Sequence, residues 1–429
     1  MERVRQCFNR LPDHRQPSNA TKYSIVDAAL SALSVFFMQS PSFLAHQRDM
    51  EKKRGRSNVQ NLFGAYEIPC DNQIRKLLDP IAPDAVGSVF WEIYRLLDES
   101  GALQGHRGIN ETLLCGIDGT QYFSSPALSC ANCSPRTHNE QVRYTHSVLA
   151  PVLVAPDQPQ VISLEPEFIW PQDGSEKQDC EQAALKRWLQ RHAQRFAPHT
   201  VTLLADDLHS RQPTCELCLT HHVNFLFVCL PDSHPTLYQE VELLERLQPL
   251  PCLVLRQWNG RSYQRTTYRY LNDLPLRTGE DALCVNWCEV VVADEQSGEL
   301  RYRNAFITNH AITQENVARV VHSARTRWKT ENENHNTLKN HGYHLTHNFG
   351  HGEQYLSMLL LSLNLLAFLI HTALHLTDPI YAQLRHELRV RKTFFNDLRA
   401  LTRYLLFDNW SHLLNFMFTQ LELDQRAPP

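Results

Sequence analysis

Apolar residues recur with a helical period over roughly the first hundred positions of the chain. From Tyr23 to Met38 they fall on one face of a predicted helix. A second helix is predicted from Pro83 to Leu97, where the proline suits the first turn. We therefore expect residues 1–105 to form a helical N-terminal domain.

A strand-like pattern replaces the helical one from about residue 111. Five short apolar runs follow one another along the chain: LLCGID, SVLAPVLVAP, VISLEPEFI, VTLLADD and NFLFVCL. Helices are predicted at Cys180–Phe196 and Pro213–His222, before and after the fourth run. Three strands followed by helix, strand, helix and strand predict an α/β fold with a mixed five-stranded sheet. The first part of this core spans residues 106–233.

The remaining chain divides into three further segments. Proline, glycine and β-prone stretches alternate over residues 234–308 and predict a β-rich insertion. A helical pattern returns at Thr313 and continues to about Lys339, so residues 309–380 are assigned to the final core helices. Residues 381–429 form a charged helical tail.

The run from Tyr355 to Leu376 is nearly long enough to cross a bilayer. Polar residues such as Asn364 and His371 interrupt it, and the sequence offers no second span. A helix that is apolar almost all round is also typical of a protein core. We expect a central buried helix, with a single membrane span as the alternative.

Composition adds two constraints. The formal net charge of -4 does not indicate a nucleic-acid-binding protein, although basic residues are locally dense in EKKRGR and near Arg325, Arg327 and Lys329. The polar start, MERVRQ, predicts no secretory signal, so the 12 cysteines are expected to be reduced rather than paired in disulfides. They then either pack as small apolar side chains or bind zinc.

Two CxxC pairs, each with two histidines after it, are candidate zinc ligands. The first set comprises Cys130, Cys133, His138 and His146. The second comprises Cys215, Cys218, His221 and His222, on a predicted helix. Two thiolates and two imidazoles make a common structural zinc site, and the first set is the better candidate.

Three acidic residues are candidates for catalysis. Asp118 and Asp206 end predicted strands, and Glu331 lies on a polar predicted helix. Carboxylates at strand ends can meet in a crevice and bind divalent cations through hard oxygen ligands. Two such ions can activate a nucleophile and stabilise the leaving oxygen of a phosphodiester. Taken singly, each residue is equally typical of a turn, a helix cap or a solvated helix face.

Three blocks that contain these acids carry a family resemblance: GIDGTQYFSS, LLADDLHSRQP and RWKTENENHNTLKNHGYHLTHNFGHG. The chain resembles the DDE transposases of bacterial insertion sequences that have a β-rich insertion before the last acidic helix. The resemblance implies a ribonuclease H-like core, with the catalytic acids on the first strand, after the fourth strand and on a late helix. Asp118, Asp206 and Glu331 stand at these positions.

The same resemblance implies an activity and its partners. Such an enzyme uses two Mg²⁺ or Mn²⁺ ions to cleave double-stranded DNA at transposon ends, and joins the freed 3′-hydroxyl to target DNA. It implies a homodimer on DNA, in the bacterial cytoplasm at the nucleoid, without a membrane partner. Residues 1–105 would then bind the DNA ends, the alternative being a plain helical packing domain. A catalytically inactive or domesticated zinc-stabilised DNA-binding protein is the alternative function.

The last block also contains candidate phosphate ligands. Arg327 stands four residues before Glu331, as in the family, whereas Ala324 replaces the family tyrosine and Lys339 comes one residue late. A guanidinium can bind phosphate in bidentate fashion, and an ammonium acts as a point charge. Trp328 is expected either to stack on a base or, more often for tryptophan, to be buried in the core.

Two choices between neighbouring acids are open in the sequence. The resemblance favours Asp206 over Asp207, because the family acid usually follows a small residue that closes the strand, here Ala205. Glu331 is preferred to Glu333 because of the preceding arginine, and about 200° of helical rotation separates the two. The histidines of HGYHLTHNFGHG are expected either to contact DNA and orient the helix or to form a hydrogen-bonded turn.

Overall fold

The computed structural model describes residues 1–16, 22–50, 53–138, 141–171 and 180–423. Their helices are α1 (Glu2–Phe8), α2 (Ile25–Phe37), α3 (Phe43–Met50), α4 (Lys53–Asn58), α5 (Asp71–Leu78), α6 (Gly87–Glu99), α7 (Glu181–His192), α8 (Gln212–Thr220), α9 (Pro235–Leu247), α10 (Val317–Arg325), α11 (Asn336–Asn340), α12 (Leu356–Thr377), α13 (Pro379–Glu387), α14 (Arg391–Tyr404) and α15 (Trp410–Gln420). Their strands are β1 (Leu113–Gly116), β2 (Gly119–Ser125), β3 (Ser134–His138), β4 (Gln141–Leu149), β5 (Val152–Ala155), β6 (Gln158–Ser163), β7 (Glu167–Ile169), β8 (Val201–Ala205), β9 (Asn224–Val228), β10 (Cys252–Trp258), β11 (Tyr263–Pro275), β12 (Cys284–Asp294) and β13 (Leu300–Thr308).

A mixed sheet of nine strands runs through the protein in the order β10-β11-β12-β13-β9-β8-β1-β5-β6. Strands β1, β8 and β9 are parallel to one another, whereas β1, β5 and β6 form an antiparallel meander. Strands β1, β5 and β8 are buried on both faces, which accounts for their continuous apolar sequences.

The predicted α/β class is confirmed, but a sheet of five strands is too small. The five predicted runs supply strands β1, β5, β6, β8 and β9 of this sheet, although VISLEPEFI is divided between β6 and β7, and β7 belongs to a second sheet. The segment predicted as a β-rich insertion adds four antiparallel strands to the same sheet, because β13 pairs with β9. Apolar pattern alone identified these strands but did not show which edge they would pair with.

A smaller sheet, β2-β4-β3 with β7 beside β4, lies next to the large one. Asp118 was predicted to end its strand, and after it the chain continues as β2 in this second sheet. The run SVLAPVLVAP, predicted as one strand, is divided between β4 and β5 at Pro151. Proline removes a backbone donor, and the chain uses that point to pass from one sheet to the other.

Helix α12 is the central helix of the fold. It is 22 residues long and has the length and mean hydropathy of a membrane span, yet 83% of its most apolar stretch is buried inside the protein. It packs against α2, α6, α13 and β6. The expectation of a buried central helix is therefore confirmed.

The helices at the two ends of the chain pack together. The Asn58 side chain donates to the carbonyls of Thr402 and Leu405 and accepts from the amide of Phe407. Trp410 donates to the carbonyl of Leu62. Residues predicted as a separate tail thus share the hydrophobic core of the N-terminal helices.

A candidate acidic site and a cysteine–histidine cluster

Asp118 and Asp206 lie side by side at the carboxyl ends of two neighbouring parallel strands. In the pairing of β1 with β8, Gly116 is opposite Leu204. Continuing that register by two residues places Asp118 opposite Asp206, and parallel strands are about 4.7–4.9 Å apart. The sequence predicted a strand end for each residue, and the structure brings the two ends together.

The charges around Asp118 show which residues face it. Its carboxyl is mostly buried, and burial is the main cause that raises its pKa to about 6; the negative charges of Glu181, Glu331 and Asp206 raise it further. Arg327 acts in the opposite direction. Acids from three other parts of the chain therefore act on the partly buried Asp118 carboxyl.

Of the two adjacent aspartates, Asp207 has a structural role. Its carboxylate accepts hydrogen bonds from the Leu230 amide at 2.8 Å and from the Ser233 hydroxyl, so it anchors the loop after β9. Asp206 accepts one bond, from the Leu208 amide at 3.1 Å, and caps the short turn that follows β8. Asp206, the preferred acid, therefore caps the following turn, as the alternative interpretation expected, and also lies beside Asp118.

Glu331 and Glu333 point in different directions. They lie in a π-helical segment, Thr330–His335, that interrupts the predicted continuous helix between α10 and α11. Glu331 is close enough to Asp118 to affect its pKa, while Glu333 lines a separate cavity with Arg385 and Arg391. Such π-helical turns are rare in proteins, and those that occur are frequently found at functional sites.

Two buried contacts hold this segment against the sheet. The Lys329 ammonium donates to the main-chain carbonyls of Ala155, Pro156 and Gln158 at 2.5–2.8 Å. Next to it, the fully buried Thr330 packs on Gly116 so closely that a Cβ at position 116 would overlap the threonine hydroxyl. Gly116 is therefore needed for the close approach that brings Glu331 to the end of β1.

Two of the predicted phosphate ligands, Arg327 and Lys339, lie near the acids. Arg327 is partly buried, and its guanidinium lies 3.8 Å from the Glu331 carboxylate. Lys339 donates to the Thr120 hydroxyl at 2.8 Å, two residues after Asp118. The preference for Trp328 as a core residue is wrong, since the side chain is 46% exposed.

Two residues near the acids were not identified from the sequence. Glu181, the first residue of α7, accepts a hydrogen bond from the Gly119 amide, and burial and the charge of Asp206 raise its pKa. His335 is buried with Nδ1 3.5 Å from the Asp118 carboxylate, and burial lowers its pKa to about 4. A glutamate in a first helical turn and a histidine in a helix are common, so the sequence contained no specific signal.

The acidic site does not have the compactness of a single-ion site. Among the described residues, no three of these carboxylates have oxygens within 4.8 Å of one another. A cluster of another kind does meet that test, and it consists of Cys130, Cys133, His146 and His351. These four residues are able to hold a metal ion such as zinc.

The four ligand atoms come from three parts of the fold. Cys130 and Cys133 lie in the loop between β2 and β3, His146 lies on β4, and His351 precedes α12. The two sulfurs are 3.8 Å apart, and His146 Nε2 is 3.5 and 3.4 Å from them. His351 Nε2 is 3.3 Å from the Cys133 sulfur.

The electrostatics of the cluster distinguish its two thiols. Burial raises the pKa of Cys130, but hydrogen bonds from His146 and His351 outweigh it and lower the pKa to about 5. Burial raises the pKa of Cys133 to about 11. One thiolate beside two imidazoles is a donor set for a soft or borderline cation.

Three of the four predicted zinc ligands, Cys130, Cys133 and His146, belong to this cluster, and whether they bind zinc stays a prediction. The side chain of His138, the predicted fourth ligand, lies outside the described residues, and His351 occupies that place in the cluster. His351 belongs to the histidine-rich block, more than 200 positions from Cys133. Its recruitment depends on tertiary packing, which a search for local ligand spacing does not detect.

The second CxxC pair is part of the core. Cys215 and Cys218 are fully buried on α8, and burial raises the pKa of both thiols. Within the described ranges, neither belongs to a group of candidate metal ligands. The default expectation of packed, reduced cysteines fits this pair.

Comparison with known proteins adds no further assignment. The chain matches no protein-family model, and the search of curated proteins finds no match.

Proposed function

We propose that this protein is a DDE transposase that cleaves transposon-end DNA and joins the 3′-hydroxyl to target DNA. The observation that carries the proposal is the position of Asp118 and Asp206 after two neighbouring parallel strands, with the segment of Glu331 held against the first of these strands by the packing of Thr330 on Gly116. Perturbed acids in a cleft between elements are frequent at catalytic sites.

The topology supports a ribonuclease H-like core. Three antiparallel strands, β6, β5 and β1, are followed by the parallel strands β8 and β9. One acid follows the first of these strands in the chain, and another follows the fourth. The third is contributed by a late helical segment, in the order that the family resemblance implies.

The chemistry of the site suits divalent cations as cofactors. Carboxylate oxygens are the ligands preferred by Mg²⁺. Burial and the negative charges of the neighbouring acids raise the pKa of Asp118, and a bound cation would offset the repulsion among these charges. Two bound ions would supply activation of the attacking oxygen and stabilisation of the leaving oxygen. When two ions lie about 3.5–4 Å apart, carboxylate oxygens bound on their far sides are up to about 8 Å from each other. Two acids can therefore bind the same pair of ions without contacting one another.

The residues of the chain would bind and orient the DNA. Arg327 and Lys339 flank the acids and are suited to phosphate oxygens. Trp328 presents an exposed ring on the same segment and is suited to stacking on an unpaired base. Double-stranded DNA as partner, a homodimer on DNA and a place at the bacterial nucleoid belong to the same proposal.

The test uses a plasmid that carries the gene with several hundred base pairs of its natural flanks, so that both element ends are present. The purified full chain is incubated with this plasmid and Mg²⁺ or Mn²⁺, and nicks at the ends and joined products are mapped by sequencing. Asp118→Asn, Asp206→Asn and Glu331→Gln should each abolish cleavage and joining, because each removes a carboxylate.

Glu333→Gln is the matched control, since it makes the same change two residues away on a side chain that faces a different cavity. It should retain cleavage. DNA binding, measured by gel shift, should persist in all four variants. Cleavage by Asp118→Asn at the wild-type rate would contradict the proposal.

A zinc-stabilised DNA-binding protein without catalysis is the second candidate. The observation in its favour is that the Cys/His cluster, rather than the acidic site, brings its ligand atoms within 4.8 Å. Specific binding of the flanking DNA with no cleavage in Mg²⁺ or Mn²⁺ would favour it over the transposase.

A further inference from the structure

We propose that Cys130, Cys133, His146 and His351 bind one Zn²⁺ ion in a closed, structural site. For metal–sulfur bonds of about 2.3 Å and metal–nitrogen bonds of about 2.0–2.1 Å, a tetrahedral ion separates two sulfurs by about 3.8 Å and a sulfur from a nitrogen by about 3.5 Å. The sulfurs are 3.8 Å apart, and three of the four sulfur–nitrogen distances to Nε2 of the histidines are 3.3–3.5 Å. These four distances match edges of one tetrahedron, and all four ligand atoms lie within 4.8 Å of one another.

The ligand set selects the class of metal. Two thiolates and two imidazoles in tetrahedral geometry suit Zn²⁺, whereas Mg²⁺ and Ca²⁺ require oxygen ligands. Because the protein supplies all four ligands, no position is left for water or substrate, which distinguishes a structural from a catalytic zinc. Cys133, His146 and His351 are each less than 9% exposed, so the surroundings also exclude solvent.

The surroundings orient the imidazoles. His351 Nδ1 donates to the Gly352 carbonyl at 2.9 Å, so Nε2, which faces the Cys133 sulfur, is the nitrogen that a metal ion would bind. His146 stacks on Tyr122 with the rings 14° from parallel, and Phe123 packs on His351. Orientation of a metal-binding histidine through its other nitrogen is the usual arrangement at built sites.

The ion would join the small sheet, which supplies Cys130, Cys133 and His146, to the segment before α12, which supplies His351. The Asn132 side chain donates to the Gln354 carbonyl at 2.8 Å, next to the same junction. The zinc would fix the β2–β3 loop and β4 to the turn that begins the central helix α12. Since β2 starts at the residue after Asp118, the ion would also stabilise the strand that follows the acidic site.

The first experiment measures metal in the full chain purified without added zinc or chelator. Elemental analysis should give about one zinc per chain and no stoichiometric iron. After removal of zinc, Co²⁺ should produce the intense visible bands of a tetrahedral site together with thiolate-to-cobalt charge transfer, and Zn²⁺ should abolish both.

Variants identify the ligands. Cys133→Ser and His351→Ala should each reduce zinc content several-fold, whereas His351→Cys, which keeps a ligand, should retain it. Cys218→Ser, in the other CxxC pair, and His138→Ala are the matched controls and should retain zinc. Asp118→Asn should also retain zinc, so this result is independent of the proposed transposase activity.

Several results would overturn the zinc site. They are a wild-type chain that holds no zinc and gives no tetrahedral Co²⁺ spectrum, or zinc loss in His138→Ala with full retention in His351→Ala. If His351→Ala fails to fold, the Co²⁺ spectrum of the wild-type chain decides, because four-coordinate S₂N₂ ligation has a different spectrum from a site with three protein ligands and water.

Discussion

The contact between Gly116 and Thr330 allows the placement of Glu331 to be tested without any assay of DNA cleavage. In Gly116→Ala, the new Cβ would overlap the Thr330 hydroxyl, while its next neighbours, Thr330 Cβ and the Val152 carbonyl, lie at 3.7 and 3.8 Å. A single atom is therefore responsible for the clash. Overpacking of this kind costs about 1–3 kcal/mol of the free energy of unfolding.

Removal of that atom should reverse the effect. The Thr330 hydroxyl is buried without a hydrogen-bond partner among the described residues, so Thr330→Ala alone loses no such bond and should change stability by about 1 kcal/mol or less. The double variant should recover most of the loss, which gives a coupling free energy of about 1–3 kcal/mol.

The assay is urea unfolding of the four proteins, followed by tryptophan fluorescence and circular dichroism. Relief of the clash by movement of the segment would also displace Glu331, and an error of about 1 Å in a catalytic group can cost about 100-fold in rate. Wild-type stability of Gly116→Ala, or a double variant no more stable than Gly116→Ala, would refute the packing of the late helical segment on β1.

Three other predictions concern the same region. Lys329→Met leaves three main-chain carbonyls without their donor and should lower the free energy of unfolding, measured in urea, by about 2–4 kcal/mol. The control Lys339→Met loses one hydrogen bond to a side chain and should lower it by about 1 kcal/mol. Equal losses in the two variants would contradict this prediction. Because the pKa of Asp118 is raised to about 6 from 3.8, the folded state binds its proton more tightly, so this group destabilises the fold as pH rises from about 4 to above 6. Asp118→Asn should then be more stable than wild type by up to about 3 kcal/mol at pH 8 and about equal to it below pH 4, which unfolding at both pH values would check. Trp328→Ala should leave thermal stability within about 0.5 kcal/mol of wild type because the ring is exposed, yet should weaken binding to single-stranded flanking DNA by about 1–3 kcal/mol in a fluorescence titration; unchanged binding would exclude base stacking.

The pattern of apolar residues along the chain predicted those helices and strands whose formation depends on neighbouring residues in the sequence. The buried strands β1 and β8 are continuous apolar runs, and the acid after each follows from a strand that ends in a turn. The apolar length of α12 predicted a core helix, because a soluble fold needs one face or more of such a helix covered. The CxxC and His146 were also visible as possible zinc ligands.

Long-range packing decided the rest. Pairing of β13 with β9 extended the sheet to nine strands, and nothing in the insertion's own alternation specified that edge. Glu181 and His335 joined the acidic site, and His351 joined the cysteines, through contacts between segments distant in the chain. The period of a helix or strand determines which face a side chain occupies. Its contacts with distant segments depend on how the elements pack together, which is determined by the sequence of the whole chain.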